Sequence, residues 1–139
     1  NGGKTWTAVG QGKGLPAKAR VLSVALRPDD PRKVYCGLLR GALYRSSDDG
    51  ATWQACAAGL APEASISEIV VDPTNPSVMY VSDLSSGVYR SDDGGAAWQR
   101  INEGLGVREV NALAISSDGG TLYAATEGQG VYRLHLRGR

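Results

Sequence analysis

Apolar residues in this chain come in short bursts, each cut off by Gly, Pro, Asp or Asn before a helical stripe could develop. Three bursts are apolar on consecutive positions: Val24-Ala25-Leu26, Ile69-Val70-Val71 and Leu113-Ala114-Ile115. Such runs suit strands covered on both faces, so strands over 21–26, 66–71 and 110–115 are read as inner strands sandwiched between neighbouring layers. Turns are expected at 27–31, 72–76 and 116–120. Pro28, Pro31, Pro73 and Pro76 mark firm boundaries there, because proline has no N–H to give a central strand. A second set of strands is predicted over 34–38, 78–82 and 122–125. A third carries Leu43-Tyr44-Arg45, Val88-Tyr89-Arg90 and Val131-Tyr132-Arg133. A fourth begins at tryptophan, over 53–57 and 98–101, and the amino-terminal stretch 5–9 behind Trp6 has the same character. The pattern makes the chain all-β.

The elements repeat. Trp6, Trp53 and Trp98 lie 47 and 45 residues apart, and Tyr35, Tyr80 and Tyr123 lie 45 and 43 apart. Linkers at 58–64 and 102–106 each carry a Gly-Leu turn, Gly59-Leu60 and Gly104-Leu105. A period near 45 with four short strands is what the blades of a β-propeller give. The boundaries follow: 1–15 is the outer strand of one blade, 16–61 and 62–106 are whole blades, and 107–139 is a last blade without its outer strand. Three blades are fewer than the 4–8 of a closed ring. The chain is thus expected to be a partial propeller, completed by further blades of a longer chain, or half of a six-bladed ring formed by a homodimer in which each amino-terminal strand completes the partner's last blade.

One motif accounts for the sharp turn before each tryptophan. Ser46, Asp48, Gly50, Thr52 and Trp53 spell Ser-x-Asp-x-Gly-x-Thr-Trp, and Ser91, Asp93, Gly95 and Trp98 repeat it with Ala97 at the Thr position. A truncated copy opens the chain, with Asn1 at the Asp position. The aspartate is suited to accept N–H groups of its own turn, the glycine to supply positive φ, and the tryptophan to bring a large apolar surface to the hairpin. Asp48 and Asp49 do not make a calcium loop, which needs more oxygen ligands and a distal Glu; no metal and no cofactor is expected. The motif resembles the Asp-box, or bacterial neuraminidase repeat, of sialidases, sortilin-type receptors, oligoxyloglucan-processing glycosidases and photosystem assembly factors. That resemblance implies the outer hairpin of a propeller blade and little about activity, and it inclines an otherwise open localisation toward an extracellular or periplasmic, secreted setting.

Composition narrows the partners. Nineteen Gly and six Pro without a single Phe fit a turn-rich chain. Fifteen basic against fourteen acidic residues give a net charge of +1, which points to neither nucleic acid nor an anionic membrane. No apolar run approaches the roughly 18 residues of a membrane span. Cys36 and Cys56 fall at apolar strand positions two strands apart, about twice the strand spacing of 4.8 Å. A disulfide reaches only to a Cα separation of about 7 Å, so two buried free thiols are expected.

Binding is expected on the edge formed by the loops 38–41, 83–87 and 127–130 with the stretches that lead into each blade. The charged residues there vary from blade to blade: Arg20, Arg40, Asp83, Arg108 and Glu127. This favours a non-catalytic propeller module that scaffolds or binds a protein or glycan ligand. The alternative is a piece of a carbohydrate-active, glycosidase-like propeller, for which Asp83 and Glu127 on adjacent blades are the conceivable carboxylate pair. No motif supports that chemistry, and His135, the sole histidine, has no nucleophile motif to pair with.

Overall fold

A computed structural model describes residues 2–136, so Asn1, and with it the Asp position of the truncated motif, lies outside the described residues. Eleven strands and no helix occur among them: β1 (Val21–Arg27), β2 (Asp30–Leu38), β3 (Ala42–Ser46), β4 (Gln54–Ala55), β5 (Ile66–Val71), β6 (Met79–Asp83), β7 (Gly87–Ser91), β8 (Gln99–Arg100), β9 (Val110–Ile115), β10 (Thr121–Thr126) and β11 (Val131–His135). They form antiparallel meanders in the orders β1-β2-β3-β4, β5-β6-β7-β8 and β9-β10-β11. These are three propeller blades, the last of three strands.

The middle blade shows why the apolar runs are continuous. All five residues of β6 are buried. Met79 and Val81 face the first blade, in one cluster with Tyr35, Leu43 and Cys56. Val78, just before β6, and Tyr80 within it face the third blade, packed with Val110, Leu113 and Leu122. Polar ties join the inner strands. The Ser23 hydroxyl donates to the Ile66 carbonyl at 2.8 Å, and the Ser67 hydroxyl to the Val110 carbonyl at 2.9 Å.

Each inner strand also carries a β-bulge at the same end. Val21 and Ser23 oppose Leu38 and Gly37, Ile66 and Glu68 oppose Asp83 and Ser82, and Val110 and Ala112 oppose Thr126 and Ala125. Leu22, Ser67 and Asn111 are therefore the extra residues of three equivalent bulges.

Four expectations are corrected. Residues 5–9 form no strand and Trp6 is 95% exposed. A fourth strand pairs only with the third strand of its own blade, and no third strand precedes it among the described residues. Pro31 lies inside β2 rather than in a turn. Leu26 pairs with Val34 and Arg27 with Asp30, so Pro31 falls in a bulge where the ladder asks for no N–H. The outer strands β4 and β8 are only 2 residues long. Finally, β1 is covered on one face only. Val24 and Leu26 are 64% and 54% exposed, since among the described residues no blade packs ahead of β1.

Candidate binding surface

The turns before the tryptophans are built from side chain to backbone. The Ser46 hydroxyl donates to Asp48 Oδ1 at 2.8 Å and accepts the Gly50 N–H at 2.8 Å. Thr52 closes the loop on Asp48, its N–H reaching Oδ1 at 2.8 Å and its hydroxyl Oδ2 at 2.6 Å. These donors, the Thr52 hydroxyl first and then the Thr52 amide and the Ser46 hydroxyl, hold the Asp48 carboxyl down at about 2. In the second copy Asp93 Oδ1 accepts the Ala97 N–H at 3.0 Å and the Ser91 hydroxyl at 2.7 Å, and its pKa is lowered by the same means. Asp49 and Gly50 take φ of 60° and 84°, and Gly94 and Gly95 take 70° and 91°, the left-handed pair that turns the chain back.

The second turn also docks onto the first blade: the Tyr35 hydroxyl donates to the Gly94 carbonyl at 2.7 Å and the Trp98 indole N–H to the Cys56 carbonyl at 3.0 Å. With both Asp48 oxygens held this way, the geometry is that of a turn fastener. Cys36 and Cys56 are buried, unpaired thiols in separate clusters, and burial pushes them up to about 11 and about 12.

The loop edge is organised by one bond repeated in all three blades. Leu39 N–H donates to the Arg20 carbonyl, Leu84 N–H to that of Ser65 and Glu127 N–H to that of Glu109, at 2.8–3.0 Å. Each loop between second and third strands is thereby pinned to the stretch leading into its own inner strand. Across the blades, Ala42 N–H reaches the Ala64 carbonyl and Arg40 N–H the Ser65 hydroxyl, both at 2.9 Å.

On this frame Arg20, Arg40, Arg108 and Glu127 are exposed. Arg40 holds a φ of 54°. Glu127 accepts the Asn111 side-chain amide at 3.0 Å, and the Arg108 guanidinium turns back onto the Leu105 carbonyl. Asp83 does not join them. It is 1% exposed, takes the Ser65 N–H on Oδ1 at 2.8 Å and the Ser86 hydroxyl on Oδ2, and so locks the middle blade.

A carboxylate pair of Asp83 and Glu127 is therefore one fully engaged interior group and one surface group. His135 is exposed on β11. Sequence reasoning placed Ser65 on the binding edge but missed its bond to Asp83, and missed Ser86, because both bonds depend on Asp83 facing inward from the end of β6. It also missed a polar hollow on the opposite edge lined by Arg27, Lys33, Arg45 and Asp93. The only sequence signal for that hollow is the recurrence of Arg45 as Arg90 and Arg133.

The Sortilin-Vps10 family model, described as sortilin, neurotensin receptor 3, matches residues 1–130. Among solved structures, the chain is similar to the GH74 enzyme of Niastella koreensis at 22% identity and a TM-score of 0.71, covering 90% of this chain and 22% of that one. It is similar to the extracellular domain of the hybrid two component system BT3049 from B. thetaiotaomicron at 17% identity and a TM-score of 0.72, covering 94% and 19%. YCF48 from Cyanidioschyzon merolae matches at 20% identity and a TM-score of 0.55, covering 89% and 39%. At these identities the likeness is one of fold, and the chain spans between about a fifth and two fifths of those proteins. No curated protein matches the chain in sequence.

Proposed function

The chain belongs to the Sortilin-Vps10 family, and from that premise we propose that it is a non-catalytic propeller module that binds a protein or peptide segment along its loop edge. The observation that carries the reading is the edge itself. Arg20 and Arg40 are exposed beside the Leu39–Arg20 bond of the first blade and Arg108 beside the Glu127–Glu109 bond of the third, so their backbones are pinned. Fixed backbones with variable charged side chains suit recognition of an extended segment bearing carboxylates, since guanidinium groups bind carboxylates with directed, paired N–H donors. The family description names a neurotensin receptor, which supports a binding rather than a catalytic role.

In this reading the Ser46–Trp53 and Ser91–Trp98 turns are Asp-boxes that fasten blades, and the module works in an extracellular or periplasmic setting. Among the described residues the carboxylate pair of Asp83 and Glu127 does not flank one bond, as hydrolysis of a glycan would need, because Asp83 is committed to Ser65 and Ser86. Calorimetric titration of the chain with a panel of acidic and neutral synthetic peptides tests the proposal. An acidic peptide should bind, and the triple variant R20E/R40E/R108E should weaken it by about tenfold or more while unfolding at the same temperature as the parent. No difference between acidic and neutral peptides, or release of reducing sugar from xyloglucan by the parent chain, refutes it.

A further inference from the structure

The first and middle blades share one hairpin plan but charge it differently. Arg27 on β1, Lys33 on β2 and Arg45 on β3 lie on the face of the first blade that carries Tyr35, the face packed on the middle blade. With Ser47, Asp93 and Gly94 they line a polar hollow of about 300 Å³. One repeat further on, Asp72 stands in place of Arg27, Val78 in place of Lys33 and Asp92 in place of Ser47. Arg90, which pairs with Tyr80 as Arg45 pairs with Tyr35, alone keeps its charge. Asp92 neutralises it there, holding its guanidinium at 2.6 Å. In the first blade that carboxylate is a hydroxyl, and Arg45 has no ion-pair partner among the described residues.

The carboxylates near the hollow do not make up the difference. Asp29 is occupied by Arg27, whose Nε and Nη2 donate to it at 2.9 Å and 2.7 Å. Asp93 stands on the middle blade's side, with Oδ1 taken by the Ser91 hydroxyl and the Ala97 N–H. Arg27, Lys33 and Arg45 against Asp29 and Asp93 leave one positive charge over, and Lys33 and Arg45 are half-buried. A cation partly withdrawn from water without a counter-charge favours an anion beside it. The space is kept open by Gly94, where a Cβ would lie 2.9 Å from Arg27 Nη1; the first blade has Asp49 at that turn position. The Tyr35 hydroxyl, donating to the Gly94 carbonyl at 2.7 Å, fixes the wall.

We infer that this hollow binds a tetrahedral oxyanion, the head of a phosphate or sulfate ester. The terminal oxygens of such a group can take donors from three strands at once, Arg27 on β1, Lys33 on β2 and Arg45 on β3, with the Ser47 hydroxyl at the rim. A planar carboxylate has two oxygens and matches that arrangement less well. The hollow lies between the two four-stranded blades, on the edge opposite Arg20, Arg40 and Arg108. It is therefore independent of the ligand proposed for the loop edge.

An NMR titration that follows the arginine side-chain N–H resonances of the chain tests the site. Methyl phosphate, methyl sulfate and acetate are added separately at a constant ionic strength of about 0.15 M, which screens distant charges. One or both esters should shift Arg27 and Arg45 to saturation, with a Kd on the order of 1–10 mM, and leave Arg90 in place. The ester that binds more tightly identifies the source of the oxyanion. Ser47→Asp gives Arg45 the partner that Arg90 has, at a turn position where the middle blade already carries aspartate, and should weaken binding by about tenfold or more. Lys33→Val, which copies Val78, should weaken it as well, and both variants should unfold at the parent's temperature. Shifts that fail to saturate, that acetate matches or that Arg90 shares overturn the inference. Undiminished binding in either variant overturns it too.

Discussion

Asp48 and Asp93 perform the same task with different help. Asp48 takes both the amide and the hydroxyl of Thr52, whereas Asp93 has Ala97 in that place and takes the amide alone. The depressed pKa of Asp48 makes its bonds a source of stability above the ordinary carboxyl range near 3.9 that is lost as pH falls through about 2. Between those values the first turn should loosen. The Asp48 carboxyl resonance followed by NMR should titrate near 2 in the parent and move upward in Thr52→Ala. The converse change, Ala97→Thr, supplies the second turn with the missing hydroxyl. It should lower the Asp93 pKa and raise stability by about 0.5–1 kcal/mol, the lower part of the hydrogen-bond range because the site is exposed, as read in urea unfolding. At this scale the sequence was fully legible for the turns: a Ser, an Asp and a Gly at fixed offsets leave the backbone few alternatives. Asp83 was not legible, because a carboxylate at a strand end looks the same in sequence whether it points outward to a ligand or inward to Ser65.

Among the elements, the outer hairpins depend on their tryptophans more than on their ladders. β4 and β8 contribute 2 residues each to the sheet, while Trp98 is 3% exposed and bonded across to Cys56. Replacing Trp98 by Ala should cost about 3–5 kcal/mol in urea unfolding. Trp53→Ala should cost less, since Trp53 is 8% exposed, turns its indole N–H to Gly50 of its own turn and rests on the partly exposed Leu15 and Ala19. The brevity of these strands was hidden in the sequence, because alternation around Trp53 and Trp98 continues past the point where backbone pairing stops. Pro31 misled for a related reason. A proline reads as a boundary unless a bulge removes the need for its N–H, and bulges arise from the pairing of two strands rather than from either alone.

For the molecule as a whole, burial rises toward the middle blade. β6 is buried throughout, whereas β1 and β11 expose most of their length. Hydrogen exchange should follow that gradient, with the amides of β6 and β7 opening only on global unfolding and those of β11 exchanging through local fraying. Equal protection across the three sheets would contradict it. The repeat period made the blades legible before any coordinate, because each repeats the same four-step pattern of apolar run, turn, Tyr-Arg strand and tryptophan. What the period could not convey was which faces are covered, because covering depends on what stands beside a blade. For that reason β1 was expected to be enclosed and is open.

The reach of Trp98 back to Cys56 and Ala58 also has a meaning in time. Its carbonyl partners lie earlier in the chain, so they have already left the ribosome when the tryptophan emerges. Trp53 likewise grips Lys13. Each blade can thus latch onto its predecessor as it is translated, without waiting for downstream residues, and synthesis at about 5–20 residues per second leaves seconds for each latch to set before the next blade appears.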